Sequence, residues 1–524
     1  LNKKSYFYLS LIASLSVVAF VLNLNIDRHL LHGNEGYSIS CAREGLKLLH
    51  PGLPEIYGCT YDHQPLYFYF LKVVKYFTGE NLISLRYTSV LFSLLTIITA
   101  FFHCRRKGVS PINTFTVISS MSFFYLFFYH SLYLRMYPLF ILTSALILYQ
   151  VDLILNHKKR DYRLINTVQY IGYFSFILSF VFVPLQILIT PKEDRKKNLI
   201  YLSPLIIHFL IKLPFLIYHR ILERSFNYVV ENPVLRDRYE TTLLIAIPLI
   251  ILLLGYLLYK KKEKVVSLYS NKFIPILDSK IIVNFLCPLL VITGITGAFD
   301  LHNFYGEIFP FKNYFMGFFF KQTVISSIII STGIYYAKEN VSRPLYRLLV
   351  FTLLLFLITL TMPLEEIVVR YILFLIPIIY LSASIELEKS LKKVSHQLIL
   401  AIGIISLGIS GSIEYNKYVI IKGKNAKDAS EHLAKFYDTK QVVNMYTNDT
   451  FIFNYYLAFN ANYYYGLKIK GLQIKDKSEI KPHTTLIGGE YDEIKDYIRK
   501  ESSKIRFKKY FHDSDFPNLI QIYH

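Results

Sequence analysis

Again and again along this chain, apolar residues run with few charges for roughly the 15 to 22 positions that a helix needs to cross a bilayer core. Such runs lie near residues 6–24, 83–102, 111–128, 132–155, 164–174, 176–190, 199–217, 242–259, 281–298, 316–336, 346–361, 369–386 and 396–413. A soluble domain would interrupt them with charge. The composition agrees, with 53% hydrophobic residues and a mean hydropathy of +0.35. The fold class expected is therefore a polytopic α-helical membrane protein with about 13 transmembrane helices. Residues 164–190 are long for one span and short for two, and a single tilted helix there would give about twelve.

The charges separate these counts. Lys3–Lys4, Arg105–Lys107, Lys158–Arg160 and Arg195–Lys197 fall on alternate connections only if residues 164–190 cross twice. The alternation continues through Lys260–Lys264, Arg343 with Arg347, and Lys389 with Lys392 and Lys393. By the positive-inside rule the N-terminus is cytoplasmic and the chain beyond residue 413 lies outside the cytoplasmic membrane. The net charge of +21 is then mostly an orientation signal, scattered over turns with no interleaved soluble domain, which argues against a nucleic-acid partner. The first apolar stretch is followed by Asn23, Asn25, Asp27 and Arg28 in place of a small-residue cleavage site, so it is expected to stay as a helix. Trp is absent, and Tyr, present 44 times, takes over the interfacial aromatic role.

Three outer loops interrupt the array, at residues 25–82, 219–241 and 299–315. The first holds a short helix over Ala42–Leu49 and an amphipathic one over Leu66–Phe77 lying along the interface. It also holds Cys41 and Cys59, which an oxidising compartment can join. From about residue 414 the pattern changes to a small α/β domain. Helices are expected over Lys427–Tyr437 and Glu493–Lys500, and strands over Gln441–Tyr446, Thr484–Ile487 and Asn518–Tyr523. The domains are thus 1–413, transmembrane, and 414–524, extracytoplasmic, the latter without a phosphate loop or catalytic set of its own.

Ionised groups at a bilayer boundary are costly without partners, so carboxylates and arginines recurring on one side of such a protein suggest a site. Here Asn34-Glu35-Gly36-Tyr37 follows the first span, Arg86 opens the second, and Arg135-Met136-Tyr137 and Arg370-Tyr371 stand at the ends of others. Arginines at helix ends also snorkel to lipid headgroups, and a loop glutamate is also a solvated cap; sidedness decides between these readings. Lys212 and His208, one turn apart inside a span, either face a lipid-phosphate cavity or pair with tyrosines.

The order of Asn34-Glu35-x-Tyr37, His63-Gln64-Pro65-Leu66-Tyr67, Arg86, Arg135-Met136-Tyr137 and Arg370-Tyr371 followed by Pro377 resembles the GT-C glycosyltransferases related to protein O-mannosyltransferases and lipid A aminoarabinose transferases. The resemblance covers residues 1–413. It implies a GT-C-like fold and transfer of a sugar from polyprenyl phosphate to a glycan, lipid or protein acceptor. In that chemistry an acceptor hydroxyl attacks the anomeric carbon, a carboxylate takes its proton, and the departing phosphate needs cationic donors. The resemblance places Glu35 as base and Arg86, Arg135 and Arg370 as planar forks on phosphate, with Tyr137 bonding the same group. The family usually has Asp-Glu where this chain has Asn34-Glu35, and His-Pro-Pro-Leu where it has His63-Gln64-Pro65-Leu66. Asn34 cannot regain the missing charge, so either Glu35 does the work or a neighbouring carboxylate does, with Asp62 foremost.

Asp62 and His63, joined by His302 and Glu307 from another outer loop, are ligand types suited to a divalent zinc or manganese ion; a local Asp–His hydrogen bond is the plainer reading. The sequence names no other cofactor. Two further functions stay open, a transporter or flippase of lipid-linked sugars and an inactive GT-C scaffold. Transporters carry charge near the midplane and inverted repeats, whereas these charges cluster at outer ends.

Overall fold

The computed structural model describes residues 3–26, 66–79, 81–156, 162–217, 274–298, 324–360 and 373–406, together with five strands between 442 and 523 and a few single residues, among them Glu35, Ser38, Ile39, Cys41 and Ala42. Expected features at Asn34, Tyr37, Cys59, Asp62, His63, His302, Arg370 and Tyr371, the span at 242–259, and the helices at 427–437 and 493–500 lie outside the described residues.

Among the described residues three helices are long and apolar enough to cross a membrane, Ser5–Leu24, Leu82–Arg106 and Tyr137–Leu155, and the chain is a membrane protein. We label the helices α1 (Lys3–Ile26), α2 (Leu66–Thr78), α3 (Leu82–Arg106), α4 (Pro111–Ser120), α5 (Tyr125–Leu132), α6 (Tyr137–Asn156), α7 (Tyr162–Ser175), α8 (Phe182–Ile189), α9 (Lys192–Ile217), α10 (Ile274–Asp278), α11 (Ile281–Ala298), α12 (Val324–Tyr335), α13 (Ala337–Asn340), α14 (Arg343–Leu360) and α15 (Ile376–Ser390). Helices α1 and α3 run antiparallel: Phe7 packs edge-on to Phe101 at one end, and the Tyr87 hydroxyl donates to Asn23 Oδ1 at 2.6 Å near the other.

The expected span 111–128 is broken. Helix α4 gives way to a 3₁₀ turn at Met121–Phe123, Phe124 is extended, and α5 follows. The cause is in Ser119-Ser120-Met121-Ser122, where the Ser120 and Ser122 hydroxyls donate to carbonyls three residues back, at 2.6 Å each, competing with the helical ladder. A second break, at residues 133–136, separates α5 from α6.

Residues 162–189 form a hairpin. Phe176 is extended, a 3₁₀ turn at Ile177–Val181 reverses the chain, and Gln186 near the end of α8 donates to Asn166 near the start of α7. Gln186 Nε2 also reaches Asn198 Oδ1 on α9 at 3.0 Å, and Asn198 Nδ2 reaches the Thr190 hydroxyl at 3.0 Å. Tyr162 donates to Asp194 at 3.2 Å. The start of α7 and the start of α9 therefore share one end of the bundle.

That end gathers the described basic turns. The Arg105 guanidinium sits 4.2 Å over the Phe7 ring, one turn from Lys3 and Lys4. Lys107 donates to Asp152 at the far end of α6, with His103 and Arg106 each 3.7 Å from the same carboxylate. Glu388 accepts from the Ser110 backbone N–H at 2.9 Å and from Asn113 Nδ2 at 2.7 Å, while Lys389 donates to Asn340. Arg347 grips Asp278 with two bonds, at 2.8 and 2.6 Å, and Lys280 meets Glu339 at 2.8 Å. The Arg347 bond holds the Asp278 carboxyl below its ordinary range.

Cys41 is disulfide-bonded, whereas Cys104 and Cys287 are buried free thiols. The strands β1 (Val442–Thr447), β2 (Lys468–Gln473), β3 (Leu486–Gly488), β4 (Lys508–Phe511) and β5 (Ile520–Tyr523) form one mixed sheet in the order β2-β1-β3-β5-β4. The pairs β1–β2 and β1–β3 are parallel, and β3–β5 and β5–β4 antiparallel. Three strands fall where the sequence reading puts them; β2 and β4 are additions to it.

Candidate functional site

At the opposite end of the bundle from the basic turns, α1 finishes, α3 begins, and a buried ion pair joins them to the loop at 25–82. Arg86, in the second turn of α3, donates through Nε to Glu35 Oε1 at 2.9 Å and through Nη2 to Glu35 Oε2 at 2.7 Å. Its Nη1 donates to the Ile26 carbonyl at 3.0 Å, satisfying a helix-end acceptor of α1. Both side chains are about 1% exposed. Glu35, Ser38, Ile39, Cys41 and Ala42 all have helical backbone and are buried, so helical structure starts ahead of the expected Ala42.

The interruption between α5 and α6 at 133–136 supplies the third donor. With no helical partner there, the Leu134 backbone N–H turns to Glu35 Oε1 at 2.9 Å. Next to it, the Ser89 hydroxyl, one turn beyond Arg86, donates to the Tyr133 carbonyl at 2.9 Å and meets the Tyr67 hydroxyl at 3.3 Å. Burial pushes the Tyr67 phenol well above its ordinary range; the Ser89 bond opposes that rise, the Glu35 charge adds to it, and Arg135 lowers it. Glu35, Tyr67, Ser89, Arg86 and Arg135 thus form one neighbourhood.

Arg135 is buried, and Tyr137 opens α6, whose second residue is Pro138, preorganised for a helix start. The Tyr137 ring lies 4.5 Å from His130 and edge-on to Phe176 at 5.6 Å. Four separated stretches, around residues 35, 67, 86 and 135, therefore converge.

Two expected roles meet a geometric obstacle. Arg86 does not present a free planar fork to a lipid phosphate, because Glu35 fills it. Glu35 in turn receives three N–H donors, so most of its acceptor sites are already engaged with the protein rather than facing a substrate proton. Asn34, Asp62, His63, His302 and Arg370 lie outside the described residues, and among the described residues no group of three metal-ligating side chains occurs. Ser89 and the Leu134 N–H are the participants the sequence reading missed. Ser89 was within reach, three residues from Arg86 on the same helix face. His208 is settled: its Nδ1 lies 2.8 Å from the Tyr173 hydroxyl, the tyrosine pairing.

No family model and no curated protein matches the sequence. Among solved structures, the chain is similar to ArnT from Cupriavidus metallidurans in the apo state, at 10% identity and TM-score 0.47, covering 99% of this chain and 98% of that one. The same protein bound to undecaprenyl phosphate aligns at 10% identity and TM-score 0.39, over 98% and 97%. The Archaeoglobus fulgidus oligosaccharyltransferase complex with Zn and sulfate aligns at 12% identity and TM-score 0.47, over 92% of this chain and 68% of that chain.

Proposed function

We propose that this protein is an integral membrane glycosyltransferase of GT-C-like fold that moves a sugar from a polyprenyl-phosphate donor to an acceptor outside the cytoplasmic membrane, in building a cell-surface glycan. The observation that supports this most is the convergence of the family-like motifs on one buried charged centre at the end opposite the basic turns. Scattered snorkelling arginines would not pair with a motif carboxylate 51 residues away.

Within this reading Glu35 and Arg86 are positioning residues that fix the outer loop to α1, α3 and the α5–α6 break. Arg135, with Arg370 and Tyr137, remains for the phosphate, and Asp62 beside His63 takes the acceptor proton or supports a divalent metal with His302. With purified protein and a polyprenyl-phosphate-linked sugar, Asp62→Asn is expected to lower turnover by about two to four orders of magnitude, the usual worth of a positioned base. Arg135→Lys keeps charge but loses the fork, and should weaken donor use about tenfold, equivalent to about 1.4 kcal/mol, while the protein stays folded. Donor movement across vesicles without any transfer would replace the enzyme with a flippase.

The topology proposed is about 13 spans, a cytoplasmic N-terminus and an outer domain at 414–524. A cysteine introduced into residues 414–524 is expected to react with a membrane-impermeant maleimide on intact cells. Cys104 and Cys287, both buried, should stay silent. Labelling only after permeabilisation would reverse the outer domain and remove the proposed site with it.

A further inference from the structure

Helix α2 has two apolar faces. Tyr67, Phe68 and Leu71 are buried against the bundle, as expected of a docked helix. On the other side Tyr69, Phe70, Val73, Tyr76 and Phe77 recur at helical spacing and stay exposed, Tyr76 at 84% and Phe77 at 78%. A helix resting on its bundle in water would carry polar residues there, and a patch of this kind marks a surface that something apolar covers.

Its depth identifies the cover. The Tyr67 hydroxyl meets Ser89, and the Phe70 ring packs edge-on to Phe92 at 5.5 Å. Ser89 and Phe92 lie about 10 and 15 Å down α3 from its first residue, at 1.5 Å per residue. The start of α2 is therefore level with the second and third turns of a membrane-spanning helix, and its end climbs back to the head of that helix through Gly79, whose φ of +71° makes the tight turn, and the cap at Asn81. Helix α3 itself exposes Tyr87, Leu91 and Leu95 at i, i+4 and i+8, an apolar stripe of the same kind.

We infer that α2 is inclined within the leaflet at the site end of the bundle, and that its Tyr69–Phe77 stripe contacts the acyl chains of the bilayer directly. Residue 73 then lies deeper in the leaflet than residue 77. Lys72, exposed beside the stripe, extends its stem along it and returns its ammonium to the headgroups.

The absence of Trp from the chain makes a direct test available, since any introduced Trp is the sole emitter of its kind. Phe77→Trp and Val73→Trp are each placed in vesicles containing phospholipids brominated either near the headgroup or further down the acyl chain. The expected result is loss of most Trp emission with brominated lipid in both variants. Shallow bromines should quench residue 77 better, and deeper bromines residue 73. Quenching by aqueous iodide but not by bromolipid would place the stripe in water, and emission insensitive to both would place it in a protein contact; either overturns the inference. Tyr76→Trp, on the most exposed position, serves the same comparison if one of the other variants misfolds.

Discussion

Replacing Glu35 by Gln is expected to destabilise the protein by about 3 to 5 kcal/mol, because it leaves the Arg86 cation buried without its counter-charge. The geometry sets the size. Glu35 accepts from Arg86 Nε, from Arg86 Nη2 and from the Leu134 N–H, all in a site about 1% exposed. A glutamine offers one acceptor oxygen and turns two N–H donors toward a guanidinium that is donor only. Arg86→Gln should cost a similar amount. The double variant Glu35→Gln/Arg86→Gln should be more stable than the sum of the two predicts, since removing both charges abolishes the unpaired state. Thermal inactivation of the purified protein in lipid nanodiscs reads all four corners of this cycle. A Glu35→Gln variant with wild-type stability and strongly reduced turnover would instead return the base role to Glu35.

What the sequence made legible was periodicity and the placement of charge. The apolar runs located most of the described helices, and the alternation of basic turns anticipated that Arg105, Lys107, Arg347 and Lys389 would lie at one end. Helix breaks were less legible, because they depend on hydroxyls such as Ser120 and Ser122 choosing backbone carbonyls, a local competition that hydropathy does not register. The sheet shows the same limit from another side. Both missed strands, β2 and β4, are edges, and both carry lysines, Lys468 and Lys470 in one and Lys508 and Lys509 in the other. Lysine on an edge strand discourages pairing with other chains while diluting the apolar signal by which strands are read. At the site, the motif residues were visible singly, but the Glu35–Arg86 pairing was not. Two opposite charges 51 residues apart carry no local pattern, and each looked like a group awaiting a substrate.

Gly333→Ala should be strongly destabilising, with a cost at or above the roughly 1 to 3 kcal/mol typical of overpacking. Helices α12 and α15 approach so closely at this glycine that a Cβ would lie 2.2 Å from the Ile379 carbonyl oxygen and 2.8 Å from its Cγ2. The obstacle is backbone, so no rotamer change relieves it, and the helices must separate. Separation has a second consequence, because α15 packs through Phe124–Tyr380 onto the broken span, and Phe374 just ahead of it packs onto Phe140 and Phe182. Arg370, proposed for the donor phosphate, lies a few residues before α15, so donor use should fall along with stability. The intrinsic helix preference for Ala over Gly works in the opposite direction by about 1 kcal/mol and is outweighed. Gly403 supplies the matched control: it lies within the helix Val394–Ser406, and a Cβ added there would meet nothing within 4 Å. Gly403→Ala should leave stability unchanged or raise it by up to about 1 kcal/mol. Comparing inactivation temperatures of the two alanine variants separates the close approach from the propensity, and equal temperatures would mean that α12 and α15 do not touch backbone to backbone.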